Sequence, residues 1–286
     1  MSNDKDKMTW DLGLFAPSAS QLTFADTIQL VSKGGYRWIE WRVQTSEAIE
    51  SNPWGKAYNT LAIDELDAQA AAAVPILQAA DVGVCGLQVD VPEGFPDVEK
   101  IVLDAALAMG CPNVLLTGPS YDPVVGHHSQ RDTFREVIAA WVKRAAGTGV
   151  RICVENHMWT IIPSAALVVD LLAEFSPTQV GVMWDPANSI WEGSETSPMA
   201  LDLLGDLLAE VHLKNGAWSR KEDGTWGFDW CDIAEGMVDW PATLGLLQAA
   251  GYQGPLVVED YRPAEPAEKL SAGKEGLIWA LQAMKA

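Results

Sequence analysis

A chain of 286 residues with 19 Lys plus Arg against 39 Asp plus Glu carries a formal charge of −20. Apolar residues make up 48% and charged residues 20%, a globular composition and not a disordered one. Phosphate backbones and anionic membranes both attract a basic face, so this charge excludes a general nucleic-acid binder and disfavours a membrane surface. Met1–Lys7 is polar and lacks the apolar core of a secretory signal. No run approaches the roughly 18 apolar residues that span a bilayer. Cys85, Cys111, Cys153 and Cys231 lie far apart with no C-x-x-C, which predicts reduced, mostly buried thiols and a cytoplasmic location.

In chain order, short apolar runs alternate with longer amphipathic ones. A strand over Thr9–Phe15 is followed by a helix over Leu22–Lys33, then Tyr36–Val43 by Asp64–Ala80, and Val82–Val89 by Asp97–Met109. Strand Asn113–Thr117 precedes helix Gln130–Ala146, and Val150–Glu155 precedes Ser164–Phe175. Val180–Asp185 leads to Ala200–Leu208, Glu210–Lys214 to Pro241–Ala250, and Pro255–Asp260 to Ala264–Lys285. Gly34-Gly35, Gly110, Gly147 and Gly251 stand where helices want a left-handed end, and Pro163 and Pro241 suit first helical turns.

Strict alternation of this kind predicts parallel strands joined by right-handed crossovers, and the closed solution is a (β/α)8 TIM barrel. A doubly wound sheet would announce a Gly-rich first turn, whereas this one reads Ala16-Pro17-Ser18-Ala19. No linker divides the chain, so residues 1–286 are read as a single domain. The long connections Gln44–Ile63 and Asn215–Trp240 fall at the end of the barrel where substrates are held.

Four groups close consecutive strands: Glu155 in I-C-V-E-N-H, Asp185 in V-M-W-D-P-A-N, His212 in E-V-H-L-K-N and Glu259 in L-V-V-E-D-Y. Neighbouring parallel strands bring such groups to one rim. Three carboxylates and an imidazole suit one divalent cation of intermediate hardness; Mn2+ fits best, and Mg2+, Co2+, Fe2+ or Zn2+ also match the donor set.

The order Glu, Asp, His, Glu on strands 5 to 8, with the E-N-H, D-P-A-N, V-H-L-K-N and V-V-E-D segments, resembles the sugar phosphate isomerase/epimerase superfamily. These are the xylose isomerase-like barrels with ketose 3-epimerase and C-glycoside deglycosidase members. The resemblance covers essentially the whole barrel. It implies a Mn2+-type ion on Glu155, Asp185, His212 and Glu259, with Glu155 and Glu259 flanking a keto-sugar and exchanging a proton with its carbon. Where those epimerases usually carry a His and often an Arg for sugar hydroxyls, this chain has Asn188 and Trp218, which turns the expectation away from a simple free ketose.

His157 follows Glu155 by two residues, so an extended chain points it inward, as an added acid or base or as a partner steering Glu155. Lys214 stands in the same relation to His212, to bind a substrate oxygen or pair with an acid. Glu40 and Arg42 read as a structural ion pair, with Arg42 among the few cations near a substrate. His127 and His128 read as a surface loop. Of thirteen tryptophans, Trp54, Trp159, Trp191, Trp218, Trp226 and Trp230 fall near the predicted rim and suggest an apolar stacking wall. With so few cations the substrate is expected to be uncharged.

The leading expectation is therefore a metal-dependent isomerase or epimerase of a keto-sugar. The alternative is a lyase resembling C-glycoside deglycosidase catalytic subunits, which act on 3-oxo-glycosides with a small partner subunit; homo-oligomers are also common among such barrels. Dehydroshikimate dehydratases would want more positive charge. An endonuclease IV-like repair enzyme would want more than four histidines. A sugar sensor would not need two flanking glutamates.

Overall fold

Along each strand, alternate side chains face opposite ways, and the two sets here have different chemistry. On the second strand Ile39, Trp41 and Val43 are buried under the helices, while Glu40 and Arg42 face the axis. The computed structural model describes residues 10–51, 57–90, 94–193 and 195–285. Met1–Lys7, Thr9 and Trp54 lie outside these residues.

Eight parallel strands form the barrel: β1 (Leu12–Phe15), β2 (Trp38–Gln44), β3 (Gly83–Asp90), β4 (Asn113–Leu116), β5 (Arg151–Glu155), β6 (Val180–Trp184), β7 (Leu208–Leu213) and β8 (Leu256–Val258). They pair in sequence order, and β1 pairs with both β2 and β8, which closes the sheet. The outer helices are α1 (Phe24–Gly34), α2 (Leu66–Ala80), α3 (Val98–Met109), α4 (His127–Ala145), α5 (Ala165–Leu172), α6 (Ser197–Leu204), α7 (Trp240–Ala249) and α8 (Pro266–Met284). Local chemistry sets several ends. Thr23 accepts from the Asp26 N–H to start α1, and Gly35 stops it in the left-handed region at φ 75°.

Three expectations are corrected. Pro163 precedes the capping residue Ser164 and is not in the first turn of α5. His127 and His128 begin α4 and do not lie in a loop. Leu208, expected to end a helix, begins β7. The long connections also hold structure of their own: a short helix at Ser46–Glu50, a strand at Leu61–Ala62, and an antiparallel hairpin of Gly216–Arg220 with Trp226–Trp230. A further short helix, Pro186–Glu192, follows β6 directly.

The main apolar core lies between sheet and helices, with Trp41, Val154, Trp184, Val211 and Leu244 all buried in it. Inside the barrel the apolar clusters are small: Phe15, Cys85 and Val257 on one side, and Leu115, Cys153 and Met183 on the other. Polar groups fill the remaining interior. A register shift between β2 and β3 pairs Ile39 with Val84 but Glu40 with Gly86. This irregularity resets the alternation, so both Cys85 and Gln88 face the axis.

At Gly86 a Cβ would lie 2.6 Å from Leu115 Cδ1 and 3.1 Å from Glu40 Cγ. Gly86→Ala is therefore expected to destabilise the protein by about 1–3 kcal/mol through overpacking, read as a lower urea midpoint; an unchanged midpoint would show slack in the interior.

Candidate functional site

The four strand-end groups converge. Ligating atoms of Glu155, Asp185, His212 and Glu259 lie within 4.8 Å of one another, and all four residues are buried. Three carboxylates and an imidazole gathered this closely would fit one divalent cation.

One donor is held by its own segment and the others by partners distant in sequence. Asp185 caps the helix Pro186–Glu192: its Oδ1 accepts from Ala187 N at 2.8 Å and Asn188 N at 3.1 Å, and Pro186 fills the first turn. The D-P-A-N segment is thus a helix start that leaves Oδ2 for the site. Asn156 clamps the ends of β5 and β6 together, donating to Asp185 O at 2.8 Å and accepting from Asp185 N at 2.8 Å. Glu155 Oε1 accepts from Asn188 Nδ2 at 2.9 Å, and Oε2 accepts from Gln88 Nε2 at 3.2 Å.

Positive charge enters through Lys214 and His212. Lys214 Nζ donates to Asp185 Oδ2 at 2.7 Å, Glu259 Oε2 at 2.8 Å and Asn188 Oδ1 at 3.1 Å. Burial would lower the Lys214 pKa, but Asp185 and Glu259 outweigh it and raise it. Burial would raise the Glu259 carboxyl, yet Lys214 and His212 hold it well below the usual range. Glu155 goes the other way: burial pushes it up to about 7 although His157 and His212 oppose the shift. Environments that separate two neighbouring carboxyls suit one to carry a proton while the other stays ionised.

His212 lies between two layers. Its Nδ1 is 3.0 Å from Glu259 Oε2 at the mouth, and its Nε2 is 2.7 Å from Glu40 Oε2 beneath. In the neutral ring, with Nε2–H donating to Glu40, the Nδ1 lone pair would be free for a bound ion. Glu210, two residues before His212, joins Glu40 in the deeper layer and accepts from Cys85 Sγ at 3.2 Å. Ligating atoms of Glu40, Glu210 and His212 are also within 4.8 Å of one another. Glu40 Oε1 and Glu210 Oε2 have no other partner, and one proton between them satisfies both. Burial, followed by Glu40, raises Glu210 to about 8, which favours keeping a proton on the pair.

The structure corrects the Glu40–Arg42 pairing. Glu40 turns to His212, while Arg42 Nε donates to Gln88 Oε1 at 3.1 Å and its guanidinium lies 5.1 Å from the Phe15 ring centre. His157 lies just beyond β5, which stops at Glu155, and its charge acts on the Glu155 carboxyl. Its Nδ1 lies 2.7 Å from Met158 O, and a carbonyl can only accept, so Nδ1 carries the hydrogen. Lys214 pairs with acids. Both N–H groups of Asn188 are committed, to Glu155 and to Asn156 O. Trp159 and Trp218 stand at the rim, 61% and 36% exposed. The roles of Gln88, Asn156, Glu210 and Cys85 escaped sequence reasoning; the two-residue spacing of Glu210 from His212 was the available signal. A cavity of about 770 Å3 between α3 and α4 is lined by Val98, Phe134 and Trp141 and contains none of the ligating groups.

Two outcomes follow. Glu40→Ala should lower Mn2+ affinity by roughly 10–100-fold, with Glu40→Gln closer to wild type because its amide oxygen still accepts from Nε2–H; chelator competition measures both. Between its ordinary value of 4.5 and about 8, Glu210 binds more proton folded than unfolded. Its contribution to stability is therefore lost as pH rises through that window. Glu210→Gln should flatten the fall in urea midpoint of metal-free protein between pH 6 and 8.5.

By sequence the chain has no match among curated proteins. Solved structures share its fold. A 3-keto-D-glucoside 4-epimerase from E. coli is 14% identical with a TM-score of 0.69, covering 96% of this chain and 99% of that one. A D-allulose 3-epimerase from Methylomonas sp. is 15% identical with a TM-score of 0.70, over 96% and 98%. A xylose isomerase-like TIM barrel protein from Mycobacterium smegmatis, in complex with magnesium, is 15% identical with a TM-score of 0.69, over 96% and 98%. The sequence profile of the xylose isomerase-like TIM barrel matches residues 28–281. With the closed barrel and the four gathered donors, that match places this chain in the xylose isomerase-like TIM barrel family.

Proposed function

We propose that the protein is a metal-dependent isomerase or epimerase of an uncharged keto-sugar, with Mn2+ as the resident ion on Glu155, Asp185, His212 and Glu259. The observation that carries this reading is the convergence of those four buried donors at the barrel mouth. The epimerase activities of the E. coli and Methylomonas neighbours, as their names give them, support the reaction class. When bound, the ion would draw charge from the substrate carbonyl and make the neighbouring C–H more acidic.

The protein's own groups then move the proton. One of the pair Glu155 and Glu259, as carboxylate, takes hydrogen from the carbon next to the carbonyl, and the C–H electrons pass to the carbonyl oxygen to give an enediolate. The other, as the acid, returns a proton to the opposite face for epimerisation; return to the former carbonyl carbon, with the hydroxyl proton passing to the former carbonyl oxygen, gives isomerisation. Asn188 and Gln88 fix the Glu155 carboxylate, and Lys214 fixes Glu259. Arg42, Trp159, Trp218 and the rest of the rim bound the space for substrate, with His157 beside Glu155 as an auxiliary proton carrier and Asn188 acting through Glu155 and Lys214.

A second reading uses the same proton abstraction and ends in elimination from a 3-oxo-glycoside. The aromatic rim favours it, and a small partner subunit would then complete the enzyme. In either case the four unpaired cysteines support a reducing, cytoplasmic compartment. Among the described residues no helix is long and apolar enough to cross a membrane.

The test is deuterium uptake from D2O into D-allulose, D-fructose and methyl 3-keto-β-D-glucoside, with Mn2+ restored after chelation. Metal-dependent exchange is expected in at least one compound, falling by roughly 10²–10⁴-fold in Glu155→Gln and Glu259→Gln. Exchange that survives both substitutions would remove these carboxyls from the reaction. No exchange in any of the three, with an ion bound, would reject the proton-transfer reading for this substrate class.

A further inference from the structure

One side of the mouth is built from aromatic rings. The loop after β5 supplies Trp159, the helix Pro186–Glu192 supplies Trp191, and the hairpin after β7 supplies Trp218, Phe228 and Trp230. Trp191 is the hub, with ring centres 4.6 Å from Phe228, 5.1 Å from Trp159, 5.5 Å from Trp218 and 6.0 Å from Trp230. Trp230 packs against the main core, but the wall opens outward from there: Trp159 and Trp218 are exposed, and Trp191, Phe228 and Trp230 are only half-buried.

Two further features separate the cluster from a chance surface patch. Trp159 holds the left-handed conformation at φ 65°, which a bulky side chain rarely adopts, and its N–H donates to Glu192 Oε1 at 3.0 Å. The wall is also continuous with the ligand cluster. Lys214 Nζ, which joins Asp185 and Glu259, lies 4.4 Å from the centre of the Trp230 ring. A group leaning on the wall therefore ends one lysine away from the donors. Two of the nearby cations are already matched with acids: Lys214 holds two carboxylates, and Lys221 pairs with Asp229. Flat apolar surface without a cradle for negative charge selects a neutral ring.

We propose that the wall formed by Trp159, Trp191, Trp218, Phe228 and Trp230 is a subsite for an aromatic ring carried by the sugar, so that the substrate is an uncharged aryl-substituted keto-sugar. This deepens the keto-sugar reading above and rests on it for the identity of the sugar part.

The test compares phenyl and methyl 3-keto-β-D-glucosides binding to the Mn2+-loaded protein, by calorimetry and tryptophan fluorescence quenching. The phenyl compound should bind about tenfold more tightly, the scale of one or two aromatic contacts. Trp191→Leu and Trp159→Ala should each bring the phenyl-to-methyl ratio toward one, while Trp191→Phe keeps most of it. Trp279→Ala, on the exposed face of α8, should leave the ratio as in wild type, and circular dichroism checks that each variant is folded. Equal affinities in wild type, a ratio that survives both wall substitutions, or no binding of the phenyl compound would each overturn the subsite. Deuterium exchange is read separately: a phenyl preference without exchange would sustain the subsite while rejecting the proton-transfer chemistry.

Discussion

Burying like charges inside a closed barrel is the constraint on which this structure depends. Glu40, Glu155, Asp185, Glu210 and Glu259 are all nearly inaccessible to solvent, and carboxylates so placed repel one another and lose hydration. The interior meets this with a proton on the Glu40 and Glu210 pair, the imidazole of His212, the ammonium of Lys214 and a dense set of side-chain donors. A divalent cation at the mouth would offset the same repulsion, so one set of groups is both a folding problem and a candidate metal site.

The solution is layered. In the deeper layer Glu40, Glu210 and Cys85 sit around the underside of His212 and settle which ring nitrogen faces down. In the upper layer Asn188, Gln88 and Lys214 orient the carboxylates, and Asn156 ties the ends of β5 and β6. Few of these bonds are local in sequence; His212 and Glu40 are 172 residues apart. Barrel closure brings them together, so the stability of the sheet and the geometry of the site are coupled. The mouth then has two characters. One side is charged and gathers the four donors, and the other is aromatic.

Much of this was legible in the sequence because parallel strands are short apolar runs and their ends stand out. Glu155, Asp185, His212 and Glu259 each break such a run, and the period of two places them on the inward side. The hairpin was not legible: Gly216–Arg220 and Trp226–Trp230 are both largely solvated and lack a buried alternation. The helix Pro186–Glu192 has seven residues, too few for a helical period, although its Asp-Pro start was visible.

The sequence by itself determined the barrel, the order of its elements and the identity of the mouth donors, because periodicity and strand-end chemistry are local properties. Only the tertiary structure decided partners. Period two shows that Glu40 and Arg42 face inward, and charge then suggests that they pair. In the closed barrel the axis side of β2 meets β7 as well as its neighbours, so Glu40 takes His212 and Arg42 takes Gln88. Which groups meet across a barrel is fixed by closure and register, and neither is written in any one segment of the chain.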